Sequence, residues 1–116
     1  MDSPTSGASM RDRNLEQTLR ADLAGLDVTE TPMFGGLAFL LRGHLLCCGS
    51  HEGLLARLGQ GNEAWALALP GAATMMSGAR PMKGWVRIPP PLATDPDTRA
   101  RVLGAATAFA SSLPPK

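Results

Sequence analysis

The chain has 116 residues, 44% of them apolar and 18% charged, with a net charge of +1 and a mean hydropathy near zero. That composition describes one globular domain with a single core, and it excludes a disordered chain, a bilayer-spanning one and any general electrostatic attraction for nucleic acid or acidic membrane. The two cysteines, Cys47 and Cys48, are adjacent and cannot make a staggered disulfide framework, while MDSPTSGASM has neither a basic nor an apolar signal region. The expected compartment is therefore the cytoplasm, with residues 1–10 a disordered polar tail and residues 11–116 the domain.

From Met10 to Gly25, leucines 15, 19, 23 and 26 recur at three- or four-residue steps between charged residues, which predicts an amphipathic helix. Short apolar runs cut by glycines follow, and such runs suit strands: about Leu37–Leu41, His44–Cys48 and Leu54–Leu58, with Arg42-Gly43 as the first hairpin turn. Asn62 is expected to cap a short helix over Glu63–Leu69 that Pro70 ends. Two more strands are predicted near Thr74–Ser77 and Trp85–Ile88, the last stopped by Pro89-Pro90-Pro91, which have no ladder donors to offer. The final helix opens at TDPD and buries Val102, Leu103, Ala106, Phe109, Ala110 and Leu113. This order, α-β-β-β-α-β-β-α, predicts an α+β fold: two layers, an antiparallel sheet of about five strands, and helices packed on one face.

Four segments, MFGGLAFLLRGHLLCC (33–48), GLLARLG (53–59), LALPGA (67–72) and SGARPMKGWVRIPP (77–90), resemble in the same order the TfoX N-terminal domain family. The resemblance runs from about Leu15 to Leu113. It departs in Ala79, which stands between Gly78 and Arg80 of the last motif, and in Thr31-Pro32, where a basic residue often precedes Met-Phe-Gly. It implies a two-layer α+β domain and a place among proteins whose founding members look like regulators of natural competence. The longer regulators carry a second, helical domain, which is not read in this sequence.

His44, Cys47, Cys48 and His51 form a zinc-like ligand set by composition. Strand alternation divides them, His44 with Cys48 and Cys47 with His51, so no metal site is expected, nor any cofactor. Ser50-His51-Glu52 has the letters of a hydrolase triad, but adjacent side chains diverge and cannot hydrogen-bond in series. Gly78–Gly84 is no P-loop, because Lys83 precedes its glycine and a strand, not a helix, follows. It is read as a turn, with Gly84 allowing close approach beside Trp85. Met33, Met75, Met76 and Met82 are read as core filler, and Met33, Phe34 and Trp85 as contributors to stability.

No catalytic set emerges, which points to a non-enzymatic regulatory or protein-interaction module. The candidate binding residues are Arg57, Arg80, Lys83 and Arg87, expected to form a basic patch on the outer face of the sheet, with Arg42 as a further neighbour. The partner expected there is an unidentified acidic protein. Anion or nucleic-acid binding is the alternative, disfavoured by a scarcity of aromatics for base stacking; a homodimer is left open, and no membrane is involved.

Overall fold

The computed structural model describes residues 11–33 and 35–114, so the expected tail at residues 1–10 and the role assigned to Phe34 lie outside the described residues. Helix α1 (Arg13–Asp22) begins where the Asp12 carboxylate accepts the Leu15 amide at 3.0 Å, and it buries Leu15 and Leu19. Six strands follow in one sheet: β1 (Val28–Met33), β2 (Gly36–Leu41), β3 (His44–Ser50), β4 (Gly53–Arg57), β5 (Ala73–Ser77) and β6 (Arg80–Ile88). Their order is β1-β2-β3-β4-β6-β5, and every neighbouring pair is antiparallel. The α+β class stands, with six strands in place of about five.

The added strand is β1. Pro32 and an exposed, polar run disguise it, yet an edge position needs few donors, so a proline is tolerated there. The Arg42-Gly43 turn is as expected: both residues have positive φ, 54° and 86°, the two-residue hairpin geometry whose twist matches the strands. Between β4 and β5 the chain crosses over through α2 (Ala64–Leu67), so that β6 pairs with β4 and β5 becomes the far edge.

Helix α2 is shorter than expected and is capped differently. The residue before it is Glu63, and Asn62 instead donates its amide to the Leu58 carbonyl at 3.4 Å. The proline run ends β6 at Ile88 and then does something the sequence reading missed: it opens α3 (Pro90–Ala93), whose first turn needs no amide donors. Helix α4 (Pro96–Ser112) starts at Asp95, which accepts from the Thr98 amide at 3.0 Å and its hydroxyl at 2.7 Å.

α1, α3 and α4 cover one face of the sheet. There Leu15, Leu19, Phe39, Leu46, Cys47, Leu54, Val86, Ile88, Val102 and Ala106 make the main core. Ion pairs tie the helices down: Arg99 to Asp22 at 2.5 Å joins α4 to α1, and Arg20 to Glu30 at 2.7 Å joins α1 to β1. The opposite face carries a smaller cluster of Ala38, Leu45, Cys48, Leu55 and Met75, flanked by half-buried Leu40, Met82 and Trp85. Met75 and Met82 thus fill core as expected. Met33 and Met76 do not: they are 36% and 51% exposed, on the two edge strands where no further strand covers them.

Candidate functional site

The end of β4 is locked to β6 through Gly84. Its carbonyl accepts the amides of Leu58 at 2.7 Å and Gly59 at 3.2 Å, and its own amide donates to the Glu63 carboxylate at 2.8 Å. The other oxygen of that carboxylate accepts the Gly61 amide at 2.7 Å. Its own backbone amide first, and then those of Gly84 and Gly61, hold Glu63 below the usual carboxylate range. The consequence is positional: Glu63 fixes the 59–63 loop, and α2 starts from a defined point.

Helix α4 passes beside that loop. Phe109 lies so close to Gly59 that a Cβ there would meet the ring at 2.5 Å. The Arg57 guanidinium sits over two rings, 5.2 Å from the Phe109 centroid and 5.7 Å from that of Trp85. One helical stretch away, Arg101 lies 4.1 Å over the Trp65 ring of α2. Between the two stacks runs a groove of about 700 Å³, lined by Leu58, Asn62, Ala64, Trp65, Ala105, Ala108 and Phe109 together with Gly61 and Ser112. Leu58 is its buried residue, small side chains surround it, and each of its two lining rings, Trp65 and Phe109, has an arginine over it.

Of the expected binding residues, only Arg57 touches a residue lining this groove, Phe109, and its pairing with Trp85 sets it two positions from Arg87 on the neighbouring strand. Arg87 lies half-buried on β6 with its guanidinium 3.2 Å from the Glu52 carboxylate, which offsets its charge. Arg80 and Lys83 are exposed within β6 itself, not on the turn before it, since the turn is Gly78-Ala79 and Arg80 already pairs with Ser77. Arg80 and Arg87 stand seven positions apart along that strand, on the order of 20 Å. Arg42 is exposed in the β2–β3 turn. The sequence reading missed Arg101 and Trp65. A signal was present, for Arg101, Ala105, Ala108 and Ser112 recur at four, three and four positions on α4, a stripe of small residues beside the buried one.

The His/Cys set is dispersed, though not in the way simple alternation predicts. Phe39 pairs with Cys47 and Leu40 with Leu45, so Leu46 is an unopposed bulge residue and the alternation slips by one. Cys47 consequently faces the main core and Cys48 the smaller cluster. Nε2 of His44 lies 2.6 Å from the Pro114 carbonyl, placing that ring under the end of α4, whereas His51 is exposed in the β3–β4 turn. Among the described residues no group of three or more His, Cys, Asp or Glu side chains is placed to hold a metal. Burial pushes the Cys48 thiol up to about 11 and the Cys47 thiol further still; Cys48 donates to the Met33 carbonyl at 3.2 Å. Neither thiol is an activated nucleophile.

Among the described residues no helix is long and apolar enough to cross a membrane. A family model described as the TfoX N-terminal domain matches residues 21–110. Comparison with curated proteins and with solved structures gives no match.

Proposed function

The chain belongs to the TfoX N-terminal domain family, and we propose that it acts in the cytoplasm as a small non-enzymatic regulatory module, through contact with another protein. One observation carries this reading. The α2–α4 groove is an open, mostly apolar hollow in which Trp65 and Phe109 stand among the small residues Gly61, Ala64, Ala105 and Ala108, and such a surface receives side chains of a partner. It presents no nucleophile paired with a base. A domain family that is non-catalytic in general supports the same reading. A role in competence rests on the family resemblance.

Anion or nucleic-acid binding through the sheet is the second reading, favoured by the exposure of Arg80 and Lys83. It is the weaker one, because Glu52 offsets Arg87 and Arg57 is stacked at the groove. The deciding experiment replaces Ala108 with a photo-crosslinking phenylalanine analogue in cells, alongside the same replacement at Ala79 on the β5–β6 turn. A discrete protein adduct from position 108, absent from position 79, is expected. Adducts from neither position, or identical adducts from both, overturn the reading.

A further inference from the structure

We propose that the partner segment seated in this groove is an amphipathic helix with an acidic residue at each end of its apolar stripe. This rests on the reading that the groove receives a protein, and it adds the partner's chemistry. The argument begins with charge. Among the described residues neither Arg57 nor Arg101 has a carboxylate within ion-pair reach, although the other arginines that anchor the fold, Arg11, Arg20, Arg87 and Arg99, each have one. Glu63, the acidic residue nearest in sequence to the groove's α2 wall, is committed to the amides of Gly61 and Gly84. Neither arginine is therefore neutralised by an ion pair among the described residues.

Geometry gives the spacing. Arg101 lies over the Trp65 ring and Arg57 over the Phe109 ring, both of which line the groove. Arg101 and Phe109 are eight positions apart on α4, about 12 Å along its axis. A guanidinium held over a ring by cation–π attraction still has N–H groups to offer carboxylate oxygens. A bound helix lying along α4 meets that spacing with acidic residues seven positions apart on one face, about 10.5 Å. Between them the small side chains of Ala64, Ala105 and Ala108 let a second helix approach closely and place apolar residues against Trp65 and Phe109.

Other occupants fit less well. A nucleic-acid backbone needs cations along its track, and the residues lining this groove include none. A small ligand is usually enclosed over most of its surface, and this groove is open along one side.

The test uses the full chain and a fluorescein-labelled helical peptide, a leucine and alanine stripe flanked by two glutamates seven positions apart, with a glutamine version as control. Fluorescence anisotropy at low salt should show the glutamate peptide binding at least tenfold more tightly than the glutamine one. Arg101→Glu should abolish that preference and make a lysine version of the peptide the better ligand. Arg57→Gln should weaken the glutamate peptide several-fold, with far-UV circular dichroism unchanged. Equal binding of the glutamate and glutamine peptides, or binding of neither, overturns the proposal. So does a dimer, seen in sedimentation at rising concentration, that Ala108→Arg abolishes, because the occupant would then be a second copy. If crosslinking from position 108 still yields an adduct when the peptides fail, the acidic helix falls and protein contact stands.

Discussion

Replacing Gly84 with alanine tests how the groove is built. Gly84 has φ of 87°, and a Cβ there would lie 2.6 Å from the Gln60 amide nitrogen and 2.7 Å from the Gly59 carbonyl carbon. Both are backbone atoms, so no rotamer change relieves the clash; β6 and the 59–60 loop must separate. Left-handed backbone alone costs an alanine about 1–2 kcal/mol. Separation also weakens the bond from the Leu58 amide to the Gly84 carbonyl and that from the Gly84 amide to Glu63, at about 1 kcal/mol or more each. The sum is about 3–5 kcal/mol, a large part of a domain's typical 5–15 kcal/mol. Gly78 supplies the control. Its φ is 63° and nothing lies within 4 Å of an added Cβ, so Gly78→Ala should cost only the strain, about 1–2 kcal/mol. Urea denaturation of both variants reads the difference. If Gly84→Ala and Gly78→Ala lose the same stability to within about 0.5 kcal/mol, the close approach at Gly84 does not organise this end of the sheet.

Other expectations are as direct. Glu16 is buried and bonded twice to Arg11, at 2.5 and 2.9 Å, and these bonds hold its carboxyl below the usual range. Its folded-state value is the lower one, so its contribution is present above the ordinary carboxylate range and is lost as pH falls through that depressed value. Urea midpoints followed from neutral into acid should fall less steeply in Glu16→Gln than in the parent, and parallel curves would refute the pairing. Cys47 and Cys48, both buried with their thiolates disfavoured, should resist a thiol reagent at mildly alkaline pH until denaturant is added; prompt labelling of either in the native chain would contradict this. Phe39→Ala, at a fully buried position in β2, should cost about 3–5 kcal/mol, whereas Met33→Ala on the exposed edge should cost about 0.5 kcal/mol or less. Similar melting temperatures for the two would show the core wrongly located.

The elements with strong local signals were legible in the sequence. α1 and α4 announce themselves by their leucine and alanine periodicity, and the β2–β3 hairpin by Arg42-Gly43 between two apolar runs. What escaped depends on neighbours. β1 has a polar exposed run with a proline, and only its pairing with β2 makes it a strand. The bulge at Leu46 follows from how β2 and β3 fit, and no pattern within HLLCCGS requires it. The charge balance of the expected basic residues was not legible for a comparable reason: strand alternation gives a residue's face, but not that Glu52 in the β3–β4 turn reaches Arg87 on β6. Trp65 and Arg101 stand 36 positions apart and meet only when α2 docks beside α4.

The segments that carry the family resemblance and the residues that line the groove are almost disjoint sets. Of the lining residues, Leu58 alone falls within the quoted motifs; Gly61, Asn62, Ala64, Trp65, Ala105, Ala108, Phe109 and Ser112 lie outside them. The motifs instead supply the joint. GLLARLG ends β4 at the residues that bond to the Gly84 carbonyl, and SGARPMKGWVRIPP supplies Gly84 itself and the Trp85 ring beneath Arg57. The stretch that reads most like a phosphate loop is thus a clasp, whose work is to hold the 59–63 loop so that α2 projects at a fixed angle beside α4. A clasp of that kind is indifferent to what the groove receives. Variation in ligand preference should accordingly track residues 61–65 and 101–112, while changes at Gly59 or Gly84 should alter stability and binding together. That coupling is measurable: a substitution at Trp65 that weakens peptide binding without lowering the urea midpoint, set against one at Gly84 that lowers both, separates the groove's contact surface from the joint that positions it.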